Sequence, residues 1–232
     1  MNFEEIKAIR ERFLANSFSS DIFDAMDKLG YSNQALDHQI VPLKDDWKIC
    51  GPAVTISGNR EPVPPAEFLA REGHDKRFWI YDSMYPGCVV CLSADGDRVT
   101  GHWGELMSYG ARNLGVSGVV IDGGTRDKTG IIAIGDFTCF ARYTTAVESA
   151  NRWRPKYTQV PISMAGTLTA YVRVNPGDWI FGDNDNVIVI PQEILMEVLA
   201  KVEDISRKEN LSRKAFAEGQ HIAEVFEIFE RD

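Results

Sequence analysis

The sequence has no run of about eighteen apolar residues, the length a helix needs to cross a bilayer. Nor does it open with a basic stretch followed by an apolar one: MNFEEIKAIRERF is charged and amphipathic instead. Export and membrane insertion are therefore not expected, and a cytoplasmic location is. Basic residues are in deficit, with 25 Lys and Arg against 34 Asp and Glu, a formal net charge of −9. Nucleic acid and anionic membranes carry the same sign, so neither is expected as a partner. Cysteine is sparse, at four in 232 residues. A chain of this size does not need disulfide staples, which fits a reducing compartment. Cys88 and Cys91 form a CxxC, but they lie in GCVVCLSA, a β-branched pattern in which alternation sends residues three apart to opposite faces. Packing is the expected role of both. Internal repeats and low-complexity linkers are missing too.

What is present is enough apolar material for a proper core, 44% hydrophobic and 10% aromatic, within the range of one large domain. Phe3, Ile6, Ile9 and Phe13 recur at helical spacing, and Ser20 suits the N-cap of a second helix running to Gly30. Strand-like segments follow: PAVTIS from Pro52, CVVCLS from Cys88, VSGVVI from Val116, FTCFAR from Phe137, AYVRV from Ala170 and VIVI from Val187. Between them, Gly104 to Leu114 is expected to be a helix closed by Gly115. Pro191 opens a long helix with Ile194, Leu195, Val198, Val202 and Ile205 on one face. The pattern is mixed α/β. Gly58 to Pro86, with Pro62, Pro64 and Pro65, is the one irregular region, a lid or a surface excursion.

The densest chemical signal runs from Gly101 to Gly130, GHWGELMSYGARNLGVSGVVIDGGTRDKTG. A glycine just before a helix leaves the N–H groups of Gly104, Glu105, Leu106 and Met107 free at a partially positive helix end, a small anion pocket. The strand that follows ends in Asp122-Gly123-Gly124-Thr125-Arg126-Asp127. Functional groups gather at the carboxyl ends of strands in α/β folds, and paired glycines allow a sharp turn there. Arg126 offers a planar fork for a carboxylate, and Asp127 a hard oxygen ligand for Mg²⁺ or Mn²⁺. By spacing alone, the two are equally a solvated loop pair.

The segments SSDIFDAMDKLG, CGPAVTISG, GELMSYGARNLGVSGVVIDGGTRD and VNPGDWIFGDNDNVIVIP resemble, in order, the blocks of the RraA-like family. That family holds the 4-hydroxy-4-methyl-2-oxoglutarate and 4-carboxy-4-hydroxy-2-oxoadipate aldolases and the regulator of ribonuclease activity A. The resemblance extends from about residue 17 to about residue 219, and its core appears as Gly115, Gly118, Val120, Asp122, Gly123, Arg126 and Asp127. It implies a swivelling α/β/β sandwich, one domain over residues 1–232 with helical extensions at both ends, assembled as a homotrimer or a dimer of trimers (a homohexamer).

Carried over by the resemblance, Arg126 binds substrate, Asp127 ligates the metal, and Gly104, Glu105, Leu106 and Met107 form the substrate-contacting loop. Glu105 stands where an aspartate orients metal-bound water, and Glu209 where a glutamate reaches in from a neighbouring subunit. His38, His74, His102 and His221 show no paired ligand spacing. His102, two residues before the anion pocket, is the one candidate to bind substrate or relay a proton. Lys128 has no apolar setting for Schiff-base chemistry. In the late turn Asp183-Asn184-Asp185-Asn186, asparagine replaces the family's glycine, as a left-handed turn allows.

The expected function is a class II type aldolase or decarboxylase, acting with Mg²⁺ or Mn²⁺ on a small 2-oxo acid, a 4-hydroxy-2-oxo acid or oxaloacetate, through a pyruvate enolate. The alternative is a non-catalytic member that binds and inhibits a ribonuclease. Menaquinone methyltransferase, a name also attached to the family, lacks support, because no glycine-rich nucleoside-binding loop follows a first strand.

Overall fold

The computed structural model describes residues 1–64, 66–67, 70 and 78–228, and two helices lead the chain. α1 (Phe3–Asn16) turns Ile6, Ile9 and Phe13 inward, while Phe3, expected on the same face, is exposed in the first turn. Its start is a reciprocal cap: the Asn2 side chain accepts the Glu5 N–H, and the Glu5 carboxylate accepts the Asn2 N–H. α2 (Ser19–Asp27) has Phe18 at its N-cap, not the expected Ser20. The Ser19 N–H and hydroxyl are both given to Asp183, at 2.8 and 2.7 Å, so a turn far along the chain does part of the capping.

Eleven strands follow among the described residues: β1 (Val41–Pro42), β2 (Ile49–Arg60), β3 (Val89–Ser93), β4 (Gly101–Trp103), β5 (Gly118–Thr125), β6 (Thr138–Thr144), β7 (Trp153–Thr158), β8 (Ile162–Ala165), β9 (Tyr171–Val174), β10 (Trp179–Gly182) and β11 (Val187–Ile190). Nine form one sheet in the order β1-β6-β5-β3-β2-β10-β11, with β4 added to β5 and β7 to β2; β8 and β9 pair separately. The sheet is nearly closed, a barrel-like form of the expected sandwich. All six expected strand segments are present. The short β1 and β4, together with β7, β8 and β10, are additions.

β2, β3, β5 and β6 run parallel, so their carboxyl ends lie together at one edge. Alternation along β10 and β11 divides the interior: Trp179, Phe181, Ile188 and Ile190 face α1, α2 and α5 (Leu195–Ala217), while Ile180, Val187 and Val189 face the main core. Central β3 is buried along its whole length, as a strand covered on both faces must be. Cys88 and Cys91 pack there, and burial pushes the Cys88 thiol up to about 11, which makes it inert.

α3 (Glu105–Asn113) closes through Gly115 at a positive φ of 79°, as expected. A 3₁₀ turn (Gln192–Ile194) intervenes between Pro191 and α5. From the irregular region, the turn Phe78–Ser83 packs on α3, where the Tyr81 hydroxyl donates to the Met107 carbonyl at 3.2 Å. Pro65, residues 71–77 and hence His74 lie outside the described residues. No described helix is long and apolar enough to cross a membrane.

A close strand approach occurs at Gly118, where a methyl group would collide with the carbonyl and hydroxyl of Thr138 in β6. Gly118→Ala is expected to cost about 3 kcal/mol, the upper end of overpacking, because the obstacle is backbone. Urea unfolding should show a lower midpoint at unchanged slope; an unshifted midpoint contradicts the close packing.

Candidate functional site

The site stands on β4. Gly101 pairs with Gly124 and Trp103 with Thr125 at the far end of β5. The Trp103 indole N–H donates to Ser108 Oγ at 2.9 Å, fixing the ring to α3. The Trp103 carbonyl accepts both the Arg126 N–H, at 2.8 Å, and the Thr125 hydroxyl, at 3.0 Å. One carbonyl therefore sets the strand end and the arginine after it.

Arg126 lays its stem on Gly101, where a methyl group would collide with Cγ. Its Nε is buried and has no protein partner. Its NH1 lies 3.9 Å from Glu148 Oε1, beyond hydrogen-bond reach. Leaving a buried donor unsatisfied costs about 1–3 kcal/mol. A buried orphan of this kind calls for a partner that the protein itself does not supply.

Asp127 is held in the left-handed region, φ 58° and ψ 36°, which costs a residue with a side chain about 1–2 kcal/mol. It heads α4 (Lys128–Ile134), yet its carboxylate makes no capping bond to that helix. Instead Oδ2 turns toward the start of α3, where it takes a long 3.4 Å bond from the Glu105 N–H. A methyl group on Gly104 would stand 2.9 Å from the same oxygen. The anion pocket expected at α3 is thus partly lined by Asp127 itself. The Glu105 carboxylate lies over Gly130, where a methyl group would come within 2.6–3.0 Å of it. Two carboxylates flank the crevice between the first turns of α3 and α4, with Arg126 beside them.

Among the described residues, no three His, Cys, Asp or Glu side chains gather as a metal cage. The two carboxylates could hold a hard cation that keeps most of its water, as Mg²⁺ or Mn²⁺ does.

The sequence model of the RraA-like family, Aldolase/RraA, matches residues 19–189. The chain belongs to this family. A Halalkalibacterium halodurans protein named "Putative 4-hydroxy-4-methyl-2-oxoglutarate aldolase" is 31% identical over 200 residues, covering 85% of this chain and 83% of that one. Protein DlpA of Legionella pneumophila is 30% identical over 216 residues, covering 93% of this chain but 33% of its own, so the chain spans about a third of that protein. Among solved structures, Streptomyces coelicolor RraAS2, described as an unusual member of the RNase ES inhibitor RraA family, superposes with a TM-score of 0.73 at 24% identity over 89% of this chain and 97% of that one. That likeness is one of fold.

In this RraA-like chain the structure brings Gly104, Glu105, Arg126 and Asp127 together. Leu106 is 82% exposed beside them, and the Met107 carbonyl is taken by Tyr81. Glu209 is elsewhere: it lies on α5, paired with Arg213 at 2.5 Å, and its charge is felt by Asp21 of α2. His102 does not face the crevice, contrary to the expectation of direct substrate contact. Its ring is buried, with protein partners at both nitrogens. His38 and His221 are exposed.

Two neighbours of the site were not foreseen. Glu148 reaches Arg126 because its loop bridges to Gly101, a tertiary pairing with no local signal. Asp97 lies behind the site as the partner of His102, and the spacing Asp97 to His102 in DGDRVTGH is the only trace of it in the sequence.

Proposed function

We propose that this protein is a divalent-metal-dependent lyase cleaving a carbon–carbon bond in a small 2-oxo acid, a 4-hydroxy-2-oxo acid or oxaloacetate. The observation that carries the reading is the orphaned Arg126 Nε, followed in the chain by an Asp127 carboxylate whose one hydrogen bond is the long one from the Glu105 N–H. The aldolase name of the H. halodurans relative, at 31% identity, points the same way.

A divalent ion held by Asp127 would supply Lewis-acid withdrawal of charge from the 2-oxo acid head. The chain does the remainder. Arg126 binds the carboxylate through its planar fork and faces the negative charge that gathers on the 2-oxo oxygen as the C–C bond breaks. The N–H groups at the start of α3 favour the same charge. In this reading Glu105 serves the proton transfer to or from the substrate, by orienting the water that carries it. In oxaloacetate the bonding pair of the departing CO₂ stays on the pyruvate carbon, which then takes one proton. In a 4-hydroxy-2-oxo acid the hydroxyl proton passes to a base such as Glu105, through the water it orients, as the aldehyde or ketone forms; the C–C bonding pair stays on the pyruvate carbon, and that carbon takes one proton back. The reading includes a trimer or dimer of trimers, in which Glu209 would complete a neighbouring subunit's site.

The test is pyruvate release from oxaloacetate with Mg²⁺, measured above a matched metal blank, with competitive inhibition by oxalate. Oxalate is a planar dianion resembling the enolate, so it should bind more tightly than pyruvate. A rate equal to the blank, with a panel of 4-hydroxy-2-oxo acids also uncleaved, removes the catalytic reading. The ribonuclease-binding alternative then becomes the better account.

A further inference from the structure

The Gly123-Gly124 turn that delivers Arg126 and Asp127 is backed by a buried polar pair, His102 and Asp97, each 2% exposed, with the exposed Arg60 guanidinium 3.5 Å from Asp97 Oδ1 on the outer side. His102 Nε2 lies 3.0 Å from Asp97 Oδ2, and Nδ1 lies 3.2 Å from the Gly124 nitrogen. Asp97 is itself fixed by the N–H and hydroxyl of Thr100, at 3.0 and 2.7 Å. The ring stands edge-on to Trp153, 4.7 Å between centroids, and a methyl group on Gly123 would come 2.7 Å from Nδ1.

These partners select one tautomer. A lone pair on Nε2 would face a carboxylate, so the proton sits on Nε2 and is donated to Asp97. Nδ1, which also lies 3.3 Å from the Gly124 carbonyl, is with the Nε2 proton committed to Asp97 the acceptor for the Gly124 N–H. Burial holds the ring below its usual pKa, against the opposing pull of Asp97, which favours this neutral form. His102 also belongs to β4, whose next residue, Trp103, bonds Arg126 through its carbonyl. Side chain and strand grip the same turn from behind.

We infer that His102 is a positioning residue, oriented by Asp97, whose Nδ1 holds the Gly124 N–H and thereby sets the presentation of Arg126 and Asp127. Its geometric part stands alone, while its effect on activity rests on the lyase reading.

Two substitutions separate the roles of the ring. In His102→Asn the amide oxygen falls near Nδ1 and can accept the Gly124 N–H, but the side chain is too short for Asp97. In His102→Gln the amide reaches toward Asp97 and leaves the Gly124 N–H without its acceptor. Both remove the same aromatic packing on Trp153, so a merely structural histidine predicts equal effects. Amide hydrogen exchange over residues 123–127, at matched global stability, is the function-independent readout. The Gln variant should exchange at least tenfold faster there, and the Asn variant within threefold of wild type. In parallel, kcat/KM for oxaloacetate should fall at least tenfold in Gln and stay within threefold in Asn. Equal exchange in the two variants overturns the inference. Wild-type decarboxylation at the metal blank sinks the lyase reading instead, and the exchange comparison still decides the role of His102.

Discussion

Replacing Asp127 by asparagine is expected to lower kcat/KM for oxaloacetate at least about a thousandfold, roughly 4 kcal/mol of transition-state stabilisation, while leaving thermal stability nearly unchanged. Asparagine is the sharper choice over alanine because Asp127 sits at φ 58°, a conformation asparagine tolerates and alanine resists. Asp127 caps nothing in its own helix and is exposed, so the fold does not depend on its charge. What is lost is a hard anionic oxygen aimed at the crevice. Asp127→Ala should be equally inactive, with an added penalty in the melting temperature from the left-handed backbone. Chelation of the wild type should reproduce the asparagine phenotype, and Mn²⁺ or Mg²⁺ should reverse chelation but not the substitution. An asparagine variant with a tenth of wild-type activity, or full wild-type activity in excess EDTA, would end the case for Asp127 as the metal ligand.

The second large effect belongs to Arg126→Lys, expected to cost about a hundredfold in kcat/KM, roughly 2.7 kcal/mol. The charge is retained, and the lysine stem can follow the same path over Gly101. Lysine cannot offer an Nε donor at the buried position where Arg126 has an orphaned one, nor two parallel donors to a carboxylate. If the arginine acts only by charge, the variant will work within about threefold of wild type, a difference of roughly 0.65 kcal/mol. That result would remove the fork from the mechanism. A loss confined to KM would assign the fork to ground-state binding rather than to the developing charge.

The strands with apolar β-branched runs are legible in the sequence because burial on both faces demands such runs, as in β3, β5 and β11. β7, with the sequence WRPKYT, is not: it carries Pro155 and two basic residues, pairs with β2 and lies off the main path of the sheet. β4 is three residues long, too short for any periodicity. The loop that bears Arg126 and Asp127 stands out through its glycines and charges. The backbone state of Asp127, the idle Nε of Arg126 and the approach of Glu148 do not, because each is set by a distant segment. The same holds for α2, whose start is shifted by Asp183, and for His102, whose burial depends on Trp153 and Asp97 closing over it. Sequence position puts His102 near the crevice, and tertiary packing turns it behind.

Three of the site's side chains rest where another residue has no side chain: Arg126 over Gly101, Asp127 against Gly104 and Glu105 over Gly130. The crevice is in that sense carved as well as decorated, and its negative space is encoded at positions that carry no chemistry. Grafting the arginine and the two carboxylates onto another scaffold would therefore transplant only half of the device. The three glycines have to travel with them, and a library that randomises Gly101, Gly104 or Gly130 while holding the charged trio fixed should return mostly folded chains whose reactive groups point the wrong way.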